Sequence, residues 1–153
     1  MRCIEDRDAS ALLDIYGDPL VMRYTDEEPF ANLRTVGLML RSVRSLLAQG
    51  QSLEWAIVIA GSGAPIGTCG LHHFDTRLHV AEIGCLLKRS AWGAGYMIEA
   101  IGLITIYARN IIGLCKLIAD VHPENRPAQR LFEKLGFQRD SVELWSLDLS
   151  VKR

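Results

Sequence analysis

A chain of 153 residues has the size of one domain, and its 17 Lys and Arg nearly balance 18 Asp and Glu for a net charge of -1. With 49% hydrophobic and 23% charged residues it has the balance of a chain that folds around a core, which excludes a disordered tail and a strongly basic nucleic-acid binder. A domain of this size buries roughly 68 to 70% of the surface its unfolded chain exposes, so it needs no staples.

In chain order, Arg2 to Ile4 is only a stub of strand, and Asp8 to Tyr16 reads as a short helix ended by Gly17 and the Asp18-Pro19 turn. The start is charged at once, without the apolar core of a signal peptide, and so reads as cytoplasmic. Pro19 to Phe30 reads as a loop. Asn32 caps a predicted helix to Gln49, with Val36, Leu40, Val43 and Leu47 at helical spacing and Arg34 and Arg41 opposite.

Leu53 to Ala60 and Pro65 to Phe74, on either side of Gly61-Ser62-Gly63-Ala64, read as a hairpin, and His79 to Lys88 as a further strand. A glycine turn at Trp92 to Gly95 opens an apolar run, Ile98 to Ile112. That run is shorter than the ~20 residues of a membrane span and contains Arg109 and Asn110, so it reads as a buried helix. Lys116 to His122 reads as a strand, Arg126 to Leu135 as a helix stopped by Gly136, and Phe137 to Arg139 and Val142 to Leu149 as closing strands. No linker or repeat divides residues 1–153, which form a single domain of the α/β (α+β) class: a mixed sheet with helices on both faces. Cys3, Cys69, Cys85 and Cys115 lie far apart in apolar stretches and read as buried thiols in a reducing compartment. His72 and His73 point to opposite faces of a regular strand, which disfavours a shared metal site with Cys69 and makes them core or pocket-wall residues.

Trp92-Gly93-Ala94-Gly95-Tyr96-Met97 places glycines where a strand gives way to a long helix. The bare N–H groups and dipole at such an end favour an anion, although two glycines by themselves also make a tight turn. Neither a P-loop nor a dinucleotide fingerprint fits the spacing. The segment resembles the R/Q-x-x-G-x-G/A pyrophosphate loop of the GNAT acetyltransferases, and Trp92 to Ala100 is similar to the Trp-Gly-x-Gly-Tyr-x-x-Glu-Ala form of the branch that acetylates ribosomal-protein N-termini. Asn125 to Phe137 resembles that branch's N-x-x-S-x-R-x-x-E-K-L-G-F helix, and Asp8-Ala9 with Tyr16 to Tyr24 extends the likeness.

The resemblance implies a mainly antiparallel sheet splayed between its fourth and fifth strands, acetyl-CoA as cosubstrate with no metal, and a primary amine as acceptor, either a protein N-terminus or a small molecule. It implies no nucleic-acid or membrane partner, and a monomer or homodimer. It puts the oxyanion amide at Leu86, the pantetheine grip at Leu86, Leu87 and Lys88, and the pyrophosphate at Trp92, Gly93, Ala94, Gly95, Tyr96 and Met97, with Asn125 and Arg130 also against coenzyme A. It puts the general base at Glu82, with Asp120 and His122 as substitutes. A buried strand carboxylate equally suits a salt bridge. Glu99 reads as a helix-dipole residue. Acceptor contacts fall on Tyr24, Glu27 and Phe30, in a loop that also holds Asp26 and Glu28, and on the turn at Gln138 to Glu143. The sequence departs from the family where a tyrosine or serine donates a proton to the thiolate, with Phe132 and Ala128 there instead. The second reading is therefore a weakly active or noncatalytic acyl-CoA-binding module.

Overall fold

The computed structural model describes residues 1–150, and the last three residues of the expected domain lie outside the described part. The elements run β1 (Arg2–Cys3), α1 (Ala9–Tyr16), α2 (Pro19–Met22), α3 (Leu33–Ala48), β2 (Leu53–Val58), β3 (Pro65–Asp75), β4 (Val80–Leu87), α4 (Tyr96–Tyr107), β5 (Lys116–Asp120), α5 (Arg126–Lys134), β6 (Gln138–Arg139) and β7 (Leu144–Asp148). They build one seven-stranded sheet in the order β1-β2-β3-β4-β5-β7-β6, antiparallel except where β4 meets β5. The expected mixed sheet with helices on both faces is therefore found. Among the described residues no helix is long and apolar enough to cross a membrane.

The alternation of a strand decides which residue meets which layer. Leu71, Ile83, Leu117, Ala119, Trp145 and Leu147 point to one face, where α4 and α5 cover them with Ile101, Ile104 and Phe132. The other face is covered over β2 and β3 by α1 and α3, which share a core of Leu12, Val36 and Leu40. The stub β1 is anchored by charge. Arg2 donates two hydrogen bonds to Asp8, at 2.8 and 2.7 Å, and a third to the Gly63 carbonyl at 2.8 Å. The guanidinium holds the buried Asp8 carboxyl below its ordinary range.

Several expectations change. The Pro19 to Phe30 loop contains α2, because Asp18 accepts from the Leu20 N–H and Pro19 suits a first helical position. The stripe of α3 narrows toward its end, with Val36 and Leu40 buried but Leu47 half exposed. The apolar helix is covered on one face only: Ala100, Ile101, Ile104 and Ala108 are buried, whereas Leu103, Ile106, Tyr107 and Ile111 face outward, since the sheet meets a single stripe of α4. It closes through a π turn at Ala108–Ile112. Cys69 is buried and Cys85 half-buried, but Cys3 and Cys115 are exposed because both lie at strand ends. The Cys69 thiol is pushed up, first by its hydrogen bond with Cys85 and then by burial.

Candidate active site

β4 and β5 pair only through Val80–Lys116, Ala81–Leu117 and Glu82–Ile118. Beyond that point β4 continues to Leu87 against β3, while β5 continues to Asp120 against β7, so a seam opens between them. At its mouth the chain turns through Arg89–Ala91 and Trp92 to Gly95 into α4. Trp92 Nε1 donates to the Leu87 carbonyl at 2.7 Å, which fixes the end of β4. Gly93 and Gly95 sit at φ 76° and 84°, the left-handed region that glycine enters without strain, and a Cβ at either would meet nothing within 4 Å. The Glu99 N–H bonds the Gly95 carbonyl at 3.2 Å, so the amides of Tyr96 and Met97 precede the helical ladder and point out of its end. Ala94 is exposed in this turn, and Glu99 is the acidic residue of the first helical turn, as the dipole favours. Lys88 and Arg89 tie the turn to Asp14 and Asp18, at 3.5 and 2.9 Å.

The amide expected at Leu86 faces the other way. Lys88 N–H bonds the Ile66 carbonyl at 2.7 Å, and the β3–β4 register keeps Leu86 opposite Thr68 without a bulge between them. Hydrogen-bonded pairs alternate along an antiparallel ladder, so the Leu86 N–H points at β3, and the amides facing the seam are those of Cys85 and Leu87. The Cys115 N–H bond to the His79 carbonyl, at 2.7 Å, gives the same parity from the β5 side.

Glu82 and Asp120 share the face of the sheet that α1 occupies farther along. The Asp120 carboxyl is pushed up, first by burial and then by Glu143, Glu82 and Asp26. Carboxylates from the α2–α3 loop, β4, β5 and the β6–β7 turn therefore converge on one mouth. Glu82 also meets the exposed His73 ring at 2.8 Å. His73 has φ 47°, inside the irregularity where β3 slips against β4, so it is an exposed partner of Glu82 and not a core residue. Tyr24 packs on His122 with ring centroids 5.2 Å apart. Phe30 folds back onto Tyr16 at 5.0 Å, which braces the loop, and Glu27 is exposed.

On α5 the Asn125 side chain accepts from the Ala128 N–H at 3.2 Å and caps the helix, while Arg130 is exposed. Phe132 lies in the core, edge-on to Phe137 at 4.9 Å. Among the described residues no cluster of His, Cys, Asp or Glu is arranged to hold a metal ion. Sequence reasoning passed over one group: Ser52 Oγ lies 2.7 Å from His72 Nδ1, and Glu54 lies 3.2 Å from His72 Nε2. Its only sequence signal is the alternation Ser52-x-Glu54 opposite His72.

Residues 1–138 match the acetyltransferase (GNAT) domain model. The chain is 32% identical over 142 residues to an uncharacterized N-acetyltransferase, p20, of Bacillus licheniformis, covering 93% of this chain and 80% of that one. The fold superposes with a TM-score of 0.86 on the Vibrio cholerae spermidine N-acetyltransferase crystallised with CoA and spermine, at 19% identity over 97% of this chain and 94% of that one. Mycobacterium smegmatis RimJ in complex with CoA-disulfide gives 0.82 at 19% identity, over 96% and 80%. A splayed sheet with a glycine turn at its mouth, together with these matches along most of the sequence, makes the chain a member of the GNAT acetyltransferase family and an N-acetyltransferase.

Proposed function

We propose that the protein transfers the acetyl group of acetyl-CoA to a cationic primary amine by direct attack on the thioester. The observation that carries this reading is the seam: unpaired strand amides at one end, a left-handed glycine turn and bare helix amides at its mouth, and converging carboxylates on the facing side. The Cys85 and Leu87 amides are suited to grip the pantetheine arm and polarise the thioester oxygen, and the turn from Trp92 to Met97 is suited to the pyrophosphate. Arg130 stands as an outer phosphate contact, while Asn125 acts through the cap it gives α5.

Glu82 draws the acceptor ammonium in and takes its proton through water. Asp26, Asp120 and Glu143 add negative charge around it, which favours an acceptor with more than one amine, the class to which the spermidine of the Vibrio enzyme belongs. Tyr24 and Glu27 wall the entry. Water protonates the leaving thiolate, since Phe132 carries no hydroxyl and a thiol of ordinary pKa, about 8.5, is a competent leaving group. The setting is cytoplasmic.

Thiol release from acetyl-CoA across diamines, peptides with free N-termini and monoamines tests the reading. Diamines turn over fastest, and Glu82→Gln lowers their kcat/KM by roughly 100-fold. Coenzyme A binding without release for any amine would leave an acyl-CoA-binding module instead, and absence of binding would sink both.

A further inference from the structure

Cys69 on β3 and Cys85 on β4 are direct cross-strand partners. The Lys88 N–H bond to the Ile66 carbonyl makes Ile66–Lys88 a hydrogen-bonded pair, and the alternation of the ladder makes Thr68–Leu86 and Gly70–Gly84 hydrogen-bonded as well. Cys69–Cys85, between them, is a non-hydrogen-bonded pair, the kind in which the chains approach to about 4.5 Å between Cα atoms. A disulfide spans Cα atoms about 4.4–6.8 Å apart, so this position can be bridged with little movement of either strand. Both side chains point to the face that α4 covers, in register with Leu71 and Ile83, and the Cys69 thiol is hydrogen-bonded to Cys85.

The two thiols differ in access. Cys69 is fully buried, whereas Cys85 is half-buried, because the β4–β5 ladder stops at Glu82–Ile118 and leaves the rest of β4 without a strand on its seam side. Cys85 therefore meets a reagent that enters the seam, and Cys69 meets Cys85. In a reducing compartment a disulfide at such a place is transient and redox-sensing rather than structural. We propose that Cys69 and Cys85 form a redox-modification site, which closes to a disulfide when a low-molecular-weight disulfide reaches the seam, and that closure opposes acetyl-CoA binding.

The step balances. The Cys85 sulfur attacks one sulfur of the small disulfide, whose S–S bond breaks, and a first small thiol leaves with the Cys85 proton. The Cys69 sulfur then attacks Cys85 Sγ, and the second small thiol leaves with the Cys69 proton. The protein is oxidised by two electrons, and the small disulfide is reduced to two thiols. The Cys69 thiol is pushed up by its hydrogen bond with Cys85 and by burial, so ring closure is the slower step. The coupling to the cosubstrate runs through Cys85, whose N–H faces the seam, and this part rests on the acetyl-transfer reading. An open cross-strand pair holds its Cβ atoms about 4.5–5.5 Å apart and a disulfide about 3.8 Å, so closure draws Cys85 toward β3 and tilts its amide away from the pantetheine arm. Oxidation and binding therefore weaken each other by the same factor.

The test uses the full chain carrying Cys3→Ser and Cys115→Ser, which keeps this pair alone of the four cysteines. The protein is equilibrated with glutathione disulfide, quenched with acid, digested without reductant and mapped by mass spectrometry. The expected product is two peptides joined through Cys69 and Cys85 and released by dithiothreitol. Cys69→Ala in the same background is expected to stop with one glutathione on Cys85. Calorimetry uses acetyl-CoA, which has no free thiol to reopen the bond, and the oxidised form is expected to bind about tenfold more weakly, as for one lost hydrogen bond. At fixed reduced glutathione, saturating acetyl-CoA is expected to raise the glutathione disulfide needed for half closure about tenfold. Glutathione left on Cys85 with no joined peptides, or no reaction at either cysteine, would overturn the site. Joined peptides with unchanged acetyl-CoA affinity would overturn the opposition to the cosubstrate. Reduced protein that binds acetyl-CoA but releases no thiol with any amine sinks acetyl transfer and leaves the site standing.

Discussion

Replacing Gly95 by alanine separates the two reasons a glycine can stand at the entrance of α4. Its φ of 84° costs a side chain about 1–2 kcal/mol, and the new Cβ meets no atom within 4 Å, so no clash adds to that cost. For a domain of this size about 1 kcal/mol moves Tm by roughly 2–4 °C, so Gly95→Ala should melt about 2–8 °C lower and still fold. The same methyl stands in the open space before the Tyr96 and Met97 amides. Losing one charge-assisted hydrogen bond of about 1.5–3 kcal/mol there weakens CoA by roughly 10- to 100-fold. Calorimetry with CoA and with pantetheine, which lacks the pyrophosphate, divides the effect: CoA affinity falls and pantetheine affinity does not. Equal weakening of both ligands would refute the turn as a pyrophosphate site, and an unchanged Tm would refute the strain.

Trp92→Phe deletes the indole bond to the Leu87 carbonyl, worth about 1 kcal/mol, and should weaken CoA about fivefold in the same calorimeter without changing the far-ultraviolet spectrum. Asn125→Ala removes the cap of α5 and should cost about 1 kcal/mol in urea unfolding, while Asn125→Asp retains it. Arg2→Met strands the buried Asp8 carboxylate, and the loss of charged hydrogen bonds should cost roughly 2–3 kcal/mol at pH 7. Because the folded Asp8 value lies below the unfolded one, this stabilisation is complete above the unfolded pKa of about 4 and lost as pH falls through the folded value. Urea midpoints of wild type and variant should therefore converge in acid.

The helices and strands were legible wherever periodicity met a stop signal: the Val36 and Leu40 stripe behind the Asn32 cap, the glycine hairpin, and the Asn125 cap before an amphipathic turn. What failed depended on neighbours. One apolar segment reads alike whether one or both faces are covered, so the outward Leu103, Ile106 and Ile111 were read as buried. The direction of the Leu86 amide follows from which strand pairs first with which, and local sequence does not carry that parity. The four converging carboxylates, Asp26, Glu82, Asp120 and Glu143, come from four separate elements, so the sequence names each of them without showing that they share one mouth. The grouping of His72 with Ser52 and Glu54 was hidden for the same reason, since its members lie about 20 residues apart in the chain.

The short ladder between β4 and β5 makes the sheet two units riveted at one end. Three residue pairs join them, and the donors on Cys85 and Leu87 face no strand. A cosubstrate that lays its own amides along that gap binds the folded state alone, and at one hundred times Kd such a ligand adds about 2.7 kcal/mol. It would act as an eighth, removable strand. Hydrogen exchange at Cys85 to Lys88 and Asp120 to His122 would then report the filling of the gap, and the lifetime of the folded protein would follow the supply of acetyl-CoA around it.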